Sequence, residues 1–205
     1  MTESPPRIAA LVLAAGLSRR MGENKLLARV EGRPLVRRVV DRVVVAGLGE
    51  VIVVVGHQAG EVRQALDGLP VRFVENSHHA LGLSTSLRAG IAALGADVDG
   101  ALVCLGDMPD IDAGLIARLV AAFAPEEGRA AVAPVRNGRR GHPVLWGRRF
   151  FPELLTLSGD VGARELFQRH RGAIAEVTVE SDGIFTDLDT PADLAAWRSR
   201  SGDLL

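Results

Sequence analysis

Short apolar runs alternate with amphipathic stretches along the first 124 residues. Residues 8–15 (IAALVLAA) are continuously apolar and stop at Gly16, which predicts a buried strand ending in a turn. Residues 34–46 place Leu35, Val36, Val39, Val40 and Val43 at helical spacing. Pro34 suits the first turn of that helix, where a missing N–H leaves nothing unpaired, and Gly47 ends it. Residues 51–55 (VIVVV) are all β-branched and predict a central strand. The pattern continues with a helix at 59–66, a strand at 71–74, a helix at 85–94 and a strand at 101–105. A helix capped by Asp112 then runs to Phe123. Farther on, strands at 130–135 and 143–146 flank a Gly/Arg loop, and two short helices lie near Phe150 and Arg164. A strand at 174–179 follows, and Pro191 opens the last helix.

Strands that alternate with helices predict an α/β fold, with a mostly parallel sheet covered by helices on both faces. Such sheets bind ligands at the carboxyl ends of their strands. At 205 residues, with no repeat, low-complexity tract or linker, the chain is expected to be one domain spanning 1–205. Residues 136–170 break the alternation and are expected to form a lid or acceptor-binding subregion.

Composition narrows the function classes. The net charge is −1, so bulk electrostatic binding of nucleic acid is not expected. Aromatics are 4% and Tyr is absent, which leaves few platforms for stacking single strands. One cysteine, Cys104, excludes an internal disulfide and a multi-cysteine zinc site. The polar, Pro-rich start lacks the pattern of a secretory signal, and an eight-residue apolar run falls short of the about 20 needed to cross a bilayer. A cytoplasmic protein without membrane association is therefore expected. The charges are unevenly placed. Residues 7–42 hold nine basic and three acidic side chains, whereas 176–205 hold seven acidic and two basic. Of 24 basic residues, 23 are Arg, and the single lysine is Lys25.

Lys25 stands in the segment that follows the first predicted strand, LAAGLSRRMGENK, residues 13–25. Glycines let backbone N–H groups approach phosphate oxygens, and the cations neutralise phosphate charge. The spacing matches neither a Walker A loop nor a dinucleotide fingerprint. A plain surface turn with solvated Arg is the alternative. A lone lysine in a chain that otherwise uses Arg points to a place where a compact ammonium is needed.

Asp107 follows an apolar strand directly, where a carboxylate beside a phosphate loop is placed to hold Mg²⁺. A turn Asp accepting backbone N–H bonds is the alternative. Asp187 and Asp189 precede Pro191, where Asp189 could instead serve as a helix start. Ser84, Thr85 and Ser86 crowd a helix start at which Ser84 is expected to be the N-cap. Arg139-Arg140-Gly141-His142-Pro143 offers cations and an imidazole before a strand. A phosphate acceptor is already anionic and needs positioning more than deprotonation, so these residues suit acceptor binding better than base catalysis. A basic surface hairpin is the plain alternative. His57, His78, His79 and His170 show no metal-ligand spacing, and no nucleophile elbow occurs.

Residues 13–25 resemble the L-A-[AG]-G-x-S-x-R-M-G-x-x-K signature of MobA-like nucleotidyltransferases, most of all the molybdenum cofactor cytidylyltransferase branch, to which the Ala14-Ala15 pair is similar. The resemblance extends over G-L-S-T-S-L (82–87), G-D-M-P (106–109), R-G-H-P (140–143), G-D-V-G-A-R (159–164) and D-T-P (189–191). It implies a three-layer Rossmann-like nucleotidyltransferase fold, and a Mg²⁺-dependent transfer of CMP from CTP to the phosphate of molybdopterin. Arg20, Lys25 and Asp107 would be catalytic. Leu13, Ala14, Ala15, Gly16, Ser18, Arg20, Met21, Gly22 and Lys25 would wrap the triphosphate, with Asn76, Gly82, Ser84 and Ser86 near the base and ribose. Arg140, Gly141, His142, Pro143, Asp160 and Arg164 would bind the acceptor. Asp107 and Asp189 would hold the metal, with Asp187 as a further candidate. Contact with a molybdoenzyme that receives the cofactor is a partner the resemblance implies. Guanylyl or other nucleotidyl transfer, a non-catalytic nucleotide-binding chaperone and an oxidoreductase on the same fold are the alternatives.

Overall fold

The first strand shows how the sequence builds the sheet. All seven residues of β1 (Ile8–Ala14) are buried, because β1 lies in the middle of the sheet with a helix layer on each side. The structure is a computed structural model and describes residues 5–18, 21, 24–159 and 164–200. A short hairpin, β2 (Arg29–Val30) and β3 (Arg33–Pro34), leads into α1 (Leu35–Val45). Then come β4 (Val51–Val55), α2 (Ala59–Ala65), β5 (Arg72–Glu75), α3 (Leu83–Ala92), β6 (Gly100–Leu105) and α4 (Ala113–Ala122). The second half contains β7 (Ala131–Arg136), β8 (Arg139–Arg140), β9 (Val144–Gly147), α5 (Phe151–Thr156), α6 (Arg164–Arg169), β10 (Ile174–Thr178) and α7 (Pro191–Arg200).

The eight-stranded sheet has the order β10-β7-β9-β6-β1-β4-β5, with β8 paired to β7. β1 pairs in parallel with β4 and β6, β4 with β5, and β7 with β10. β9 is antiparallel to both β6 and β7. The fold is therefore the mostly parallel α/β sheet that the alternation predicts. Within residues 136–170, β9 runs inside the main sheet.

Strand periodicity divides the core in two. Ala10, Val12, Val53, Val55, Leu102 and Cys104 face α1, α2 and α4. Leu11, Leu13, Ile52, Val54 and Val103 face the other way, against Leu87 and Ile91 of α3 and the aromatic group Trp146, Phe150 and Phe151. Val36, Val39, Val40 and Val43 of α1 are fully buried, and each contributes about 1.5–3 kcal/mol relative to exposure. Burial pushes the Cys104 thiol up to about 12, which makes it an inert core residue.

Two expected starts of helices differ in detail. Pro34 stands at the cap position of α1, one residue before the helix, because it pairs in the β2–β3 hairpin. Ser84 is not the N-cap of α3. Gly82 holds that position with φ +109°, a conformation that favours glycine, and Ser84 falls inside the first turn.

A third, smaller cluster positions the site. Met21, Ala28, Val30 and Leu35 from the start of the chain pack against Leu188, Leu194 and Trp197 from its end. The indole Nε1 of Trp197 donates to Asp110 Oδ1 at 2.8 Å, tying α7 to the segment after β6. This packing brings the basic beginning and the acidic end together.

Candidate active site

Three chain segments meet at the carboxyl end of β1. The turn after β1 is held from both sides: His57 N donates to Ala15 O at 3.3 Å, and Gly106 N donates to Leu13 O at 3.0 Å. A Cβ at Gly106 would lie 3.1 Å from that Leu13 oxygen, so glycine permits the close approach. Farther along the turn, Asn24 caps a short 3₁₀ turn by accepting from Leu26 N, and the Ser18 hydroxyl accepts from Lys25 N at 3.1 Å. The Lys25 backbone is thus fixed while its side chain extends.

The Lys25 ammonium forms short ion pairs with Asp107 Oδ2 and Asp189 Oδ1 at once. The three side chains are only 12%, 16% and 22% exposed, so water screens them weakly. Burial pulls the Lys25 ammonium down, but the charge and hydrogen bond of Asp107, with those of Asp189, outweigh it and hold it above its ordinary value. Nearby, burial pushes the Asp187 carboxyl up, and the charges of Asp189 and Asp107 add to that.

Asp189 is not the cap of α7. Thr190 and Asp193 form a reciprocal cap, Thr190 N donating to Asp193 Oδ2 at 2.8 Å and Asp193 N to Thr190 Oγ1 at 3.2 Å. The second carboxylate is aligned by the backbone as well, since Leu188 N donates to Asp107 O at 3.2 Å. Arg42, in α1, holds the segment after Asp107 by donating to the carbonyls of Pro109 and Ile111. Neither Arg42 nor the Trp197–Asp110 pair was predicted, because no local pattern marks residues that act over about 70–90 positions.

The two aspartates have oxygens on one nitrogen, so they converge on a single point and fit a shared divalent cation. Among the described residues no group of three His, Cys, Asp or Glu side chains is arranged to hold a metal. Water and phosphate oxygens would complete the coordination, the usual arrangement for Mg²⁺.

A cleft of about 710 Å³ opens beside these carboxylates. Leu13, Ser84, Met108, Arg140, His142 and Asp187 are among its walls. Its floor is aromatic: the rings of Trp146 and Phe167 lie 4.8 Å apart. Arg140 lies over Phe167, 5.3 Å from the ring centre, and pairs with Glu176 at 2.5 Å. Arg139 lies 4.3 Å over Phe185, and Arg171 also lines the cleft. Gly141 is pressed against the Ile184 carbonyl, which a Cβ would approach to 2.4 Å, and His142 N donates to that same oxygen at 3.0 Å. The G-H-P segment is therefore fastened to the segment that leads into Asp187.

Two polar atoms in the cleft wall lack hydrogen-bond partners among the described residues, Ser84 Oγ and His142 Nδ1. Burial pulls the His142 imidazole below its ordinary value, against the smaller opposing effects of the Val103 carbonyl and the Asp107 charge. Thr85 and Ser86 behave differently from Ser84. The buried Asn76 donates to Thr85 Oγ1 at 2.8 Å and to Ser86 Oγ at 3.0 Å, and accepts from His78 N. Asn76 lines a separate hollow of about 350 Å³.

The other expected site residues fall as follows. Ala14, Ala15 and Met21 are buried, the last within the third cluster. Gly16 is exposed, and Ser18 has φ +48°. Gly82 and Pro143 flank the cleft in sequence. Arg20, Gly22 and Asp160 lie outside the described residues, and Arg164 opens α6.

Residues 10–174 match the family model of the MobA-like NTP transferase domain. The chain is 31% identical over 193 residues to the nicotine blue oxidoreductase of Paenarthrobacter nicotinovorans, covering 90% of this chain and 93% of that protein. It is 24% identical over 194 residues to the molybdenum cofactor cytidylyltransferase of Escherichia coli K12, with 94% and 96% covered. It spans only 30% and 39% of two bifunctional GlmU proteins that it also matches. A nucleotidyl transferase structure from Methanothermobacter thermautotroptrophicus superposes with a TM-score of 0.83 at 28% identity, covering 95% of this chain and 97% of that one. A Mycobacterium tuberculosis H37Rv protein in complex with manganese gives 0.76 at 28% identity, with 93% and 97% covered.

Proposed function

The chain belongs to the MobA-like NTP transferase family and is a nucleotidyltransferase, and from that premise we propose that it moves CMP from CTP to the phosphate of a molybdopterin-type acceptor, releasing pyrophosphate. The observation that carries this reading is the convergence of Asp107 and Asp189 on the Lys25 ammonium, at the end of the phosphate-loop segment. The loop 13–25, with Arg20 and Lys25, binds and neutralises the triphosphate. Asp107 and Asp189 hold a divalent cation, taken here as Mg²⁺, which supplies charge neutralisation on the phosphate oxygens when bound. The acceptor ring lies on the Trp146 and Phe167 side of the cleft. Arg140, His142 and Arg164 orient the acceptor for in-line attack on the α-phosphorus. Since a phosphate monoester is already anionic, His142 positions rather than deprotonates it.

The E. coli relative supports the cytidylyl and molybdopterin choices, and the manganese complex supports a divalent metal. A soluble, cytoplasmic enzyme that passes its product to a molybdoenzyme agrees with this reading. No helix among the described residues is long and apolar enough to cross a membrane. One observation favours a second reading, a redox role: the relative at 31% identity is an oxidoreductase. Purified protein incubated with Mg²⁺, molybdenum cofactor and each NTP in turn separates the two. CTP-dependent pyrophosphate release is expected. Absence of nucleotide incorporation from every NTP, together with NADH or NADPH oxidation, would replace transfer with redox chemistry.

A further inference from the structure

Lys25 stands where three chain segments meet. Its ammonium bridges the two carboxylates that converge on the metal position. A pair of carboxylates facing one point repel each other unless a cation stands between them, and the repulsion is strong where exposure is low. The lysine relieves this with one positive charge, while a divalent cation brings two to the same oxygens. Both cations cannot occupy one point.

The side chain is built for leaving. Its backbone is fixed by Ser18 and by the Asn24-capped turn, while the four-carbon stem lets the ammonium swing. An arginine would engage a carboxylate through its planar fork and hold it in a fixed geometry. The chain uses Arg at 23 of its 24 basic positions, and the exception falls at this point.

We propose that Lys25 is the resident counter-ion of the metal site: its ammonium keeps Asp107 and Asp189 together, is displaced by the arriving divalent cation, and is thereby released to the triphosphate. This rests on reading Asp107 and Asp189 as the metal carboxylates. Metal binding and delivery of the phosphate-binding cation then become one event. Metal alone binds weakly, because it must first break two ion pairs.

Because the chain has a single lysine, amine acylation reports on this residue alone once the peptide is identified. Full-length wild-type protein is treated with trace acetic anhydride at fixed pH, with and without Mg²⁺ and with no nucleotide. Acetylation at Lys25 is read by mass spectrometry. The proposal expects Mg²⁺ to raise the rate about tenfold, and an unchanged or slower rate overturns it. Mn²⁺ titration of Lys25→Met supplies the reverse reading. Removing the competing cation should tighten Mn²⁺ binding about tenfold, whereas Lys25→Arg, which keeps the charge, should not tighten it. Unchanged or weaker binding in Lys25→Met overturns the proposal, as does equal tightening in both variants. If Lys25→Met does not fold, the acylation result on the wild type decides alone. No nucleotide enters either experiment, so failure of cytidylyl transfer leaves these results standing, and their failure leaves transfer to be judged by its own assay.

Discussion

The carboxylate cluster and the cleft beside it treat polar groups in opposite ways. Around Lys25 the charged groups are paired within the chain, one ammonium meeting two carboxylates under partial burial and leaving one negative charge over. In the cleft wall, Ser84 Oγ and His142 Nδ1 are buried without partners among the described residues. An unpaired buried polar group costs about 1–3 kcal/mol, so an atom of this kind facing a cleft is available to a partner there. The difference teaches which part of the site is stable alone and which is shaped for a partner. The cation site closes on itself until a ligand displaces the lysine, while the cleft holds its hydrogen-bonding capacity open.

The sharpest way to break this comparison is Asp107→Asn, which removes one charge from the closed cluster. Steady-state turnover is expected to fall about a thousandfold. A retained rate would show that the cluster is a structural ion pair only. Next comes Lys25→Arg, in which the charge is kept but the point cation becomes a planar fork. A loss of about a hundredfold in kcat is expected, and wild-type turnover would remove the special status of the lone lysine. On the cleft side the expected sign reverses. Ser84→Ala removes an orphaned hydroxyl and should raise unfolding free energy by about 1 kcal/mol in urea melts, while raising KM for the nucleotide. A destabilised variant would mean that Ser84 already has a partner.

The smallest effect concerns pH. His142 is held neutral below its ordinary value of 6.5, so the unfolded chain binds more protons than the folded one in the window beneath 6.5. Stability should therefore decline as pH falls through that window. His142→Gln should flatten that decline, and identical pH profiles of the two melts would refute the assignment.

Much of the fold was legible because its signals are local. The valines of 51–55 and the 3.6-residue spacing in 35–43 each report on their own burial, and the parallel sheet follows from their alternation. The place of β9 between β6 and β7 was not legible. A four-residue apolar run carries no mark of which strands it will separate. Asp107 could be read as a site residue from its position after an apolar strand, beside the loop. The partner of Lys25 could not, since Asp107 lies 82 and Asp189 164 positions away. The cap of α3 falls two residues before Ser84, because the chain enters the helix at φ +109°, a conformation open to Gly82 and disfavoured for Ser. What sequence could not supply is the third cluster, where Met21 and Trp197 close the chain's two ends on each other.

The most direct test follows the α-phosphorus. Wild-type protein is mixed with Mg²⁺, molybdenum cofactor and CTP labelled at the α-phosphate, and the products are separated by chromatography. Label recovered in the pterin product, with unlabelled pyrophosphate released in equal amount, is the predicted result. Label remaining in CTP, or appearing only as free CMP, would contradict a transferase that joins a nucleotide to a phosphorylated acceptor.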